Sequence, residues 1–445
     1  MLGRVIDFSI RQRTLVLLAT LALVGVGVYS FTRLPIDAVP DITNVQVQIN
    51  TNVPALSPVE IEQQVTFPIE WSMGGLPNID YVRSISRYGL SQVTVVFEEG
   101  TDIFWARQLV GERLTEARGS LPPGLAEPQM GPISTGLGEI YMWSVEATGL
   151  KPDGSEYSPQ DLRTVQDWVI RPQLRTVPGV TEVNSIGAYE EQFHVTPDPA
   201  KLMAFGLSFR DIMQAIAENN ANAGGGYIEH AGEAYLVRAT GLIRDVEDIR
   251  NIIIKSDDGV PVHIRDVADV GVGDELRTGA ATHDGQEVVI GTAMMLLGAN
   301  SRTVSEDVHS RMEQIQKTLP ENVTVKTLYN RTYLVDATLH TIEKNLFEGA
   351  VLVIVILLLL LGNLRAAVIV ACAIPLSMLF AITGMVENKV SANLLSLGAI
   401  DFGIIVDGAV VFVENIVRRA SEEQEHKKRR LTNDERLSII GEAGK

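Results

Sequence analysis

The sequence predicts an α+β membrane protein: four transmembrane helices and a large soluble segment of βαββαβ, ferredoxin-like units, one of them interrupted by an inserted subdomain. Three observations predict it. Apolar runs that approach or reach membrane length, which takes roughly 20 residues, lie near the start and in the last quarter of the 445 residues. Between about 34 and 340 no such run occurs, and the pattern alternates between strand and helix periods. Two stretches of that segment open a helix with the same Ser-Pro signature, at Ser57-Pro58 and Ser158-Pro159.

Residues 1–13 place Arg4, Arg11 and Arg13 around Val5-Ile-Asp-Phe-Ser-Ile10 and read as a cytoplasmic amphipathic helix on the membrane surface. Residues 14–33 form the first span. No A-x-A-type cleavage site follows it, and the prolines of Arg33-Leu-Pro-Ile-Asp-Ala-Val-Pro-Asp41 suit an extended exit. In the first soluble unit, 34–130, Val45-Gln-Val-Gln-Ile49 alternates like a strand with one buried face. Ser57, Pro58 and Glu60 supply an N-cap, a first-turn proline and a capping box. Strands over 81–86 and 92–97 flank a turn near Gly89, a helix covers 102–118, and Pro122-Pro-Gly124 ends the unit, giving the β-α-β-β-α order of a split ferredoxin-like arrangement.

The second unit occupies 131–186 and 285–332. Its strand at Glu139–Val145, helix from Ser158 to about Arg175 and strand at 180–186 resume with a strand at 287–296, a helix at 301–319 and a strand at 323–328. The insert, 187–284, has a helix near 208–217 and strands near 233–240 and 261–264. Its Gly224, Gly225 and Gly226 permit backbone angles that other residues resist, which fits a flexible hairpin or a mobile surface loop. Residues 333–362 are an amphipathic lead-in and the second span, 366–386 the third, bent at Pro375, and 391–417 the fourth. The tail, 418–445, carries Arg418, Arg419 and His426-Lys-Lys-Arg-Arg430. By the positive-inside rule the N-terminal arginines, Arg365 and this run are cytoplasmic and the soluble segment lies outside.

The fourth span holds three carboxylates, Asp401, Asp407 and Glu414. Charge in hydrocarbon costs on the order of 2.5–3.5 kcal/mol per group even on lenient scales, and acidic groups kept there often form proton relays. With the span starting at Ala392, Asp401 is about 13 Å deep and Asp407 about 22 Å; Asp407 and Glu414 share a face, and Asp401 is about 120° away. Gly398, Gly403 and Gly408 leave room for close helix packing. The alternative for Glu414, and less so for Asp407, is a hydrogen bond inside the bundle.

Composition excludes other classes. A net charge of −18 argues against a nucleic-acid partner, which wants a basic footprint. The one cysteine, Cys372, allows no intrachain disulfide and reads as a small core hydrophobe. None of the histidines at 194, 230, 263, 283, 309, 340 and 426 has a second His or Cys at metal-ligand spacing. Met294, Met295 and Met203 are candidate soft ligands for monovalent copper or silver, set against ordinary core packing. No Walker motif, G-x-S-x-G or H-E-x-x-H occurs, so no nucleotide or hydrolytic chemistry is indicated and the chain reads as a transporter rather than an enzyme.

Asp401-Phe-Gly-Ile-Ile-Val-Asp-Gly-Ala-Val-Val-Phe-Val-Glu-Asn415 resembles the fourth transmembrane helix of heavy-metal efflux pumps of the resistance-nodulation-division superfamily. The segments 33–48, Ser86-Arg-Tyr-Gly-Leu-Ser-Gln-Val-Thr-Val95 and Gly131-Pro-Ile-Ser-Thr-Gly-Leu-Gly-Glu-Ile140 extend the resemblance over the chain. Within the superfamily it is most similar to the cobalt-zinc-cadmium resistance pumps. Multidrug members usually have two adjacent aspartates where this chain has Asp407-Gly408, and copper/silver members typically lack the aspartate matching Asp401.

The resemblance implies proton-driven efflux of divalent heavy-metal cations (zinc, cobalt, cadmium or nickel) across the Gram-negative envelope. The alternatives are a multidrug or copper/silver pump, or a non-transporting scaffold for an adaptor. It implies a multi-pass homotrimer in inner-membrane lipid, a periplasmic adaptor (membrane fusion protein) and an outer-membrane channel. Asp401 and Asp407 would form the proton relay, with Glu414 a third candidate. The insert would be half of a docking domain whose hairpin reaches a neighbouring protomer. No cofactor is implied beyond the transported metal and the proton gradient. Only the first half of such pumps is matched, so the metal residues are expected mostly in a second half, and the chain is not expected to pump alone.

Overall fold

The computed structural model describes residues 2–34, 37, 42–53, 56–122, 127–239, 241–257, 259–275, 277, 279–361, 364–388, 402–429 and 431–443. Helices α1 (Leu2–Arg11) and α2 (Arg13–Arg33) lead into the first sheet. In β1 (Gln46–Asn52) Val47, Ile49 and Thr51 are buried and their neighbours are not, the period of a strand with one core face. Next come α3 (Pro58–Ile61, Glu62–Thr66 and Phe67–Met73), β2 (Ile79–Arg87), β3 (Leu90–Phe97), α4 (Ile103–Arg118) and β4 (Glu127–Met130). The strands pair antiparallel in the order β2-β3-β1-β4. Strand β4 supplies the last strand of the βαββαβ order, at 127–130, where the sequence alone marks none. It is four residues long and contains Pro128, tolerable because it lies at the sheet edge, where one N–H need not be paired.

The second sheet repeats the plan. It uses β5 (Glu139–Ala147), α5 (Pro159–Val165, Gln166–Ile170 and Arg171–Leu174) and β6 (Val180–Ile186). The chain then leaves through β7 (Glu191–Pro197), α6 (Pro199–Phe205), α7 (Phe209–Glu218), β8 (Ala223–His230), β9 (Glu233–Ala239), α8 (Val246–Arg250), β10 (Ile253–Asp257), β11 (Val260–His263), α9 (Ile264–Val267) and β12 (Ala268–Asp274). It returns with β13 (Ala281–His283), β14 (Gln286–Met295), α10 (Ser301–Gln316) and β15 (Val323–Asn330). The order β6-β14-β5-β15 is again second-third-first-fourth, with β13 paired to the start of β14. Each sheet buries its own core under its helices: Val47, Ile49, Ile61, Val65, Val93 and Val110 in one, Tyr141, Trp143, Ile170, Leu174, Val289 and Ile315 in the other. The excursion has a third core around Leu202, Ile249, Ile264 and Val270.

The Ser-Pro starts fold as their residues dictate. The Glu60 carboxylate accepts from Ser57 N at 2.9 Å while Ser57 Oγ accepts from Glu60 N; Asp161 and Ser158 do the same at 2.7 Å. Both helices then widen into a π turn, in which Phe67 N bonds back to Glu62 O and Arg171 N to Gln166 O. Plain helices were expected, and the cause of the difference is Pro68 and Pro172. An interior proline has no N–H and its ring collides with the carbonyl four residues back; a single wide turn just before it removes the collision without ending the helix.

Beyond β15 lie α11 (Arg331–Leu361), α12 (Leu364–Glu387), α13 (Phe402–Lys427) and α14 (Asn433–Ala443). Helix α12 is the central one, packing against α2, α11 and α13. Among the described residues two helical stretches are long and apolar enough to cross a membrane, Arg13–Thr32 and Ala366–Glu387; α11 adds a shorter apolar stretch, Phe347–Ile356. Two of the four expected spans are thus matched on this criterion. The start of the fourth, 391–401, lies outside the described residues. Cys372, on α12, is exposed and not in a core as expected. Helix α14 was read as polar tail; Thr432 and Glu435 form its capping box, Thr432 N donating to Glu435 Oε2 at 2.8 Å.

Candidate functional site

Helix α13 is the backbone on which the acidic residues are arranged. Asp401 lies outside the described residues, as does the side chain of Asp407, whose backbone is in α13. Glu414 follows Asp407 by seven residues, so the two positions share a face about 10 Å apart along the axis. Glu414 is exposed. Among the described residues nothing packs on Gly408: a Cβ at that position would meet no atom within 4 Å. The tight approach in the bundle is instead between α2 and α12, where a Cβ on Gly27 would stand 2.6 Å from Leu379 Cβ. Of the other two expected contact glycines, Gly398 and the surroundings of Gly403 lie outside what is described.

Gly224, Gly225 and Gly226 fall at the start of a β8–β9 hairpin. The register shifts between Gly224 and Tyr227, and Gly226 has φ +73°, so the bulge uses the freedom that glycine provides. The turn between His230 and Glu233 has both central residues at positive φ, Ala231 at +51° and Gly232 at +81°, the I′ geometry that matches strand twist. Tyr227, Ile228 and Tyr235 are exposed on the hairpin. A groove of about 570 Å³ lies at its base, lined by Asn219, Asn222, Arg244 and Asp248 and by the apolar Leu242 and Ile252.

The candidate soft ligands do not converge. Met295 is buried in the second core, Met294 Sδ accepts from Asn184 Nδ2 at 3.1 Å, and Met203 is exposed on α6. No cluster of three His, Cys, Asp or Glu side chains able to hold a metal forms among the described residues. Polar chemistry inside the second sheet is instead paired locally. Tyr141 Oη lies 2.8 Å from His309 Nδ1 and 2.7 Å from Thr327 Oγ1, and burial pushes the Tyr141 hydroxyl pKa up against the opposing effect of Thr327. His283 Nδ1 lies 2.8 Å from Glu146 Oε1.

One contact that sequence reasoning missed joins the soluble segment to the helices. Arg331, the first residue of α11, is 5% exposed and reaches Asp37 beyond the end of α2: Nε donates to Asp37 Oδ1 at 3.0 Å and Nη2 lies 2.9 Å from the same oxygen. Nη1 donates to Tyr329 Oη at 3.1 Å. Burial works to lower the Arg331 pKa, and Tyr329 and Asp37 outweigh it, so the group is held above its usual value. The available signal was an aspartate between prolines in the exit segment; nothing in the sequence marks Arg331 as its partner.

A profile of the AcrB/AcrD/AcrF family matches residues 5–439. The chain is 59% identical over 443 residues to the protein HelA of Legionella pneumophila, with 100% of this chain and 42% of that protein covered. It is 58% identical over 447 residues to the cobalt-zinc-cadmium resistance protein CzcA of Cupriavidus metallidurans, again with 100% of this chain and 42% of the relative. A crystal structure of a heavy metal efflux pump superposes with a TM-score of 0.82 at 39% identity, covering 93% of this chain and 41% of that one. The chain therefore spans about two-fifths of the length of the proteins it matches.

Proposed function

Because the chain belongs to the AcrB/AcrD/AcrF family of resistance-nodulation-division pumps, we propose that it is the N-terminal portion of a proton-driven exporter of divalent heavy-metal cations across the Gram-negative envelope. The observation that carries the reading is 58% identity, along the entire chain, to a protein named for cobalt, zinc and cadmium resistance. It includes the segment in which Asp401 and Asp407 interrupt an otherwise apolar helix. On this reading α2, α11, α12 and α13 are four spans of an inner-membrane bundle, and their common packing on α12 supports that. The two sheets are ferredoxin-like periplasmic units of a porter, 34–130 and 131–186 with 285–332. The excursion 187–284 is a docking subdomain, and Gly224, Gly225 and Gly226 shape a hairpin directed to a neighbouring protomer of a trimer. A periplasmic adaptor and an outer-membrane channel complete the path, and no resident cofactor is needed.

Asp401 and Asp407 relay protons in this mechanism; the exposed Glu414, toward the cytosolic end, is the weaker candidate. Desolvation disfavours a charged carboxylate, which readies such groups to take protons from one side and release them to the other. The test is resistance of a metal-sensitive Gram-negative host making the intact gene product with Asp407→Asn. Loss of zinc, cobalt or cadmium tolerance with trimer assembly retained is expected. Unchanged tolerance would refute the relay, and protection against dyes or detergents in place of metals would refute the cargo.

A further inference from the structure

We propose that the Asp37–Arg331 ion pair is the positioning joint through which the helix bundle and the second soluble sheet move as one, an inference that rests on the proton-driven reading above. The geometry starts from the backbone. Strand β15 ends at Asn330 and α11 begins at Arg331, so no connecting residue stands between sheet and helix. Asn330 is itself buried, and its Oδ1 accepts from Ser305 Oγ at 2.9 Å and from Thr332 N at 2.9 Å. One side chain therefore caps α11 and fastens it to α10. Arg302 adds an exposed link, Nη2 to Asp336 Oδ1 at 3.1 Å.

Helix α11 is 31 residues, about 46 Å, longer than a hydrocarbon core needs. Its first turns therefore form a rigid lever with the sheet at one end. Just below Arg331 the lever meets the bundle: Leu34, Val335 and Ile382 form a small buried cluster with Leu339 and Met378, one contribution from each of α2's exit, α11 and α12. Arg331 ties this junction by charge. Its side chain is 6% exposed and that of Asp37 19%, so the pair is shielded from the screening that weakens surface pairs. Nη2 is within ion-pair range but off-line for a hydrogen bond, which leaves Nε to carry the directional contact. Removing either partner strands the other charge in a mostly covered site. The bulge between Thr327 and Tyr329 twists the end of β15 and places Tyr329 where its hydroxyl braces Nη1.

A static staple and a moving joint differ in what they couple. The intact gene product is reconstituted in proteoliposomes with internal pH and zinc dyes. Asp37→Asn is expected to lower zinc flux at least tenfold while proton flux falls less than twofold and trimer is retained. The exchanged pair, Asp37→Arg with Arg331→Asp, is expected to recover at least a third of the zinc flux. A proportionate fall of both fluxes, or no recovery in the exchanged pair, overturns the joint. Absence of proton-linked zinc flux in the unaltered protein would strike the parent reading instead, and a second measurement then decides. Spin labels on the native Cys372 and at position 156 of Glu156→Cys report the distance between α12 and the second soluble unit at pH 5 and pH 8. A pH-dependent distance change that vanishes in Asp37→Asn and returns in the exchanged pair supports the joint. A change that survives Asp37→Asn, or no change in the unaltered protein, overturns it.

Discussion

Gly291→Ala is the perturbation whose size the structure best defines. Gly291 faces Trp143 across the β14–β5 pairing, and a Cβ there would stand 2.2 Å from Trp143 Cε2 and 2.3 Å from Cζ2. The strand cannot retreat, because β14 is paired to β5 on one side and β6 on the other. The ring is pinned as well: Trp143 is fully buried and Nε1 donates to Gln166 Oε1 at 2.9 Å. Overpacking of this kind costs about 1–3 kcal/mol. Replacing a mid-strand glycine returns about 0.5–1 kcal/mol, leaving a net loss of up to about 2.5 kcal/mol. Trp143→Phe alone vacates the space occupied by Nε1 and Cζ2 and leaves the buried Gln166 Oε1 without its donor, at about 1–3 kcal/mol plus a cavity cost. In the double variant the new methyl enters the vacated space. The combined loss is then expected to fall short of the sum by at least about 1 kcal/mol, inside the range seen for residues in contact. Urea-titrated pulse proteolysis of the four proteins in detergent measures this. Additivity within about 0.4 kcal/mol would show that the glycine is not there to admit the indole.

Ser158→Ala removes the hydroxyl that caps α5 and is expected to cost about 1 kcal/mol; the same proteolysis series checks it, and no change would mean that Asp161 alone holds the helix start. Glu435 is held below the usual carboxylate range, first by the Arg429 side chain, then by Thr432 N–H and Lys427. A folded pKa lowered in this way gives stability that is fully present above the ordinary carboxylate pKa, near 4.5, and is lost as pH falls through the lower folded value. Amide exchange over 433–443 should accelerate as pH drops through that window once intrinsic exchange is corrected for, and Glu435→Gln should exchange fast without that pH dependence. An identical acid profile in the two proteins would exclude the pairing as the cause. The joint change Met203→Leu and Met294→Leu is expected to leave the spectrum of tolerated metals unaltered, since one sulfur is exposed and the other is bonded to Asn184; a selective loss for copper or silver would return these residues to the list of ligands.

What the sequence reveals here depends on the range of the interaction. The caps at Ser57 and Ser158 are legible because donor and acceptor are three residues apart, and the strand at 46–52 because its burial alternates with period two. The excursion between β6 and β13 is legible as a break in a pattern that later resumes. Local signals were present but unread at Pro68 and Pro172, where a proline inside a helix implies a widened turn, and at Thr432 and Glu435, whose spacing is that of a capping box. Strand β4 had no signal of its own, since four residues with a proline become a strand only because β1 offers an open edge. The acidic residues of the fourth apolar run were picked out by cost alone: a carboxylate in an apolar helix demands a reason wherever its partners lie. The opposite holds for Arg331. An arginine at the head of a helix is unremarkable in sequence, and Asp37 is 294 residues away, so only the fold that closes the whole soluble segment between them can bring the pair together. A contact of that kind is the one most able to report a relative position, because Arg331 directly continues β15 and Asp37 follows α2, and that is the physical ground for assigning coupling to this pair and not to the ion pairs three or four residues apart along single helices.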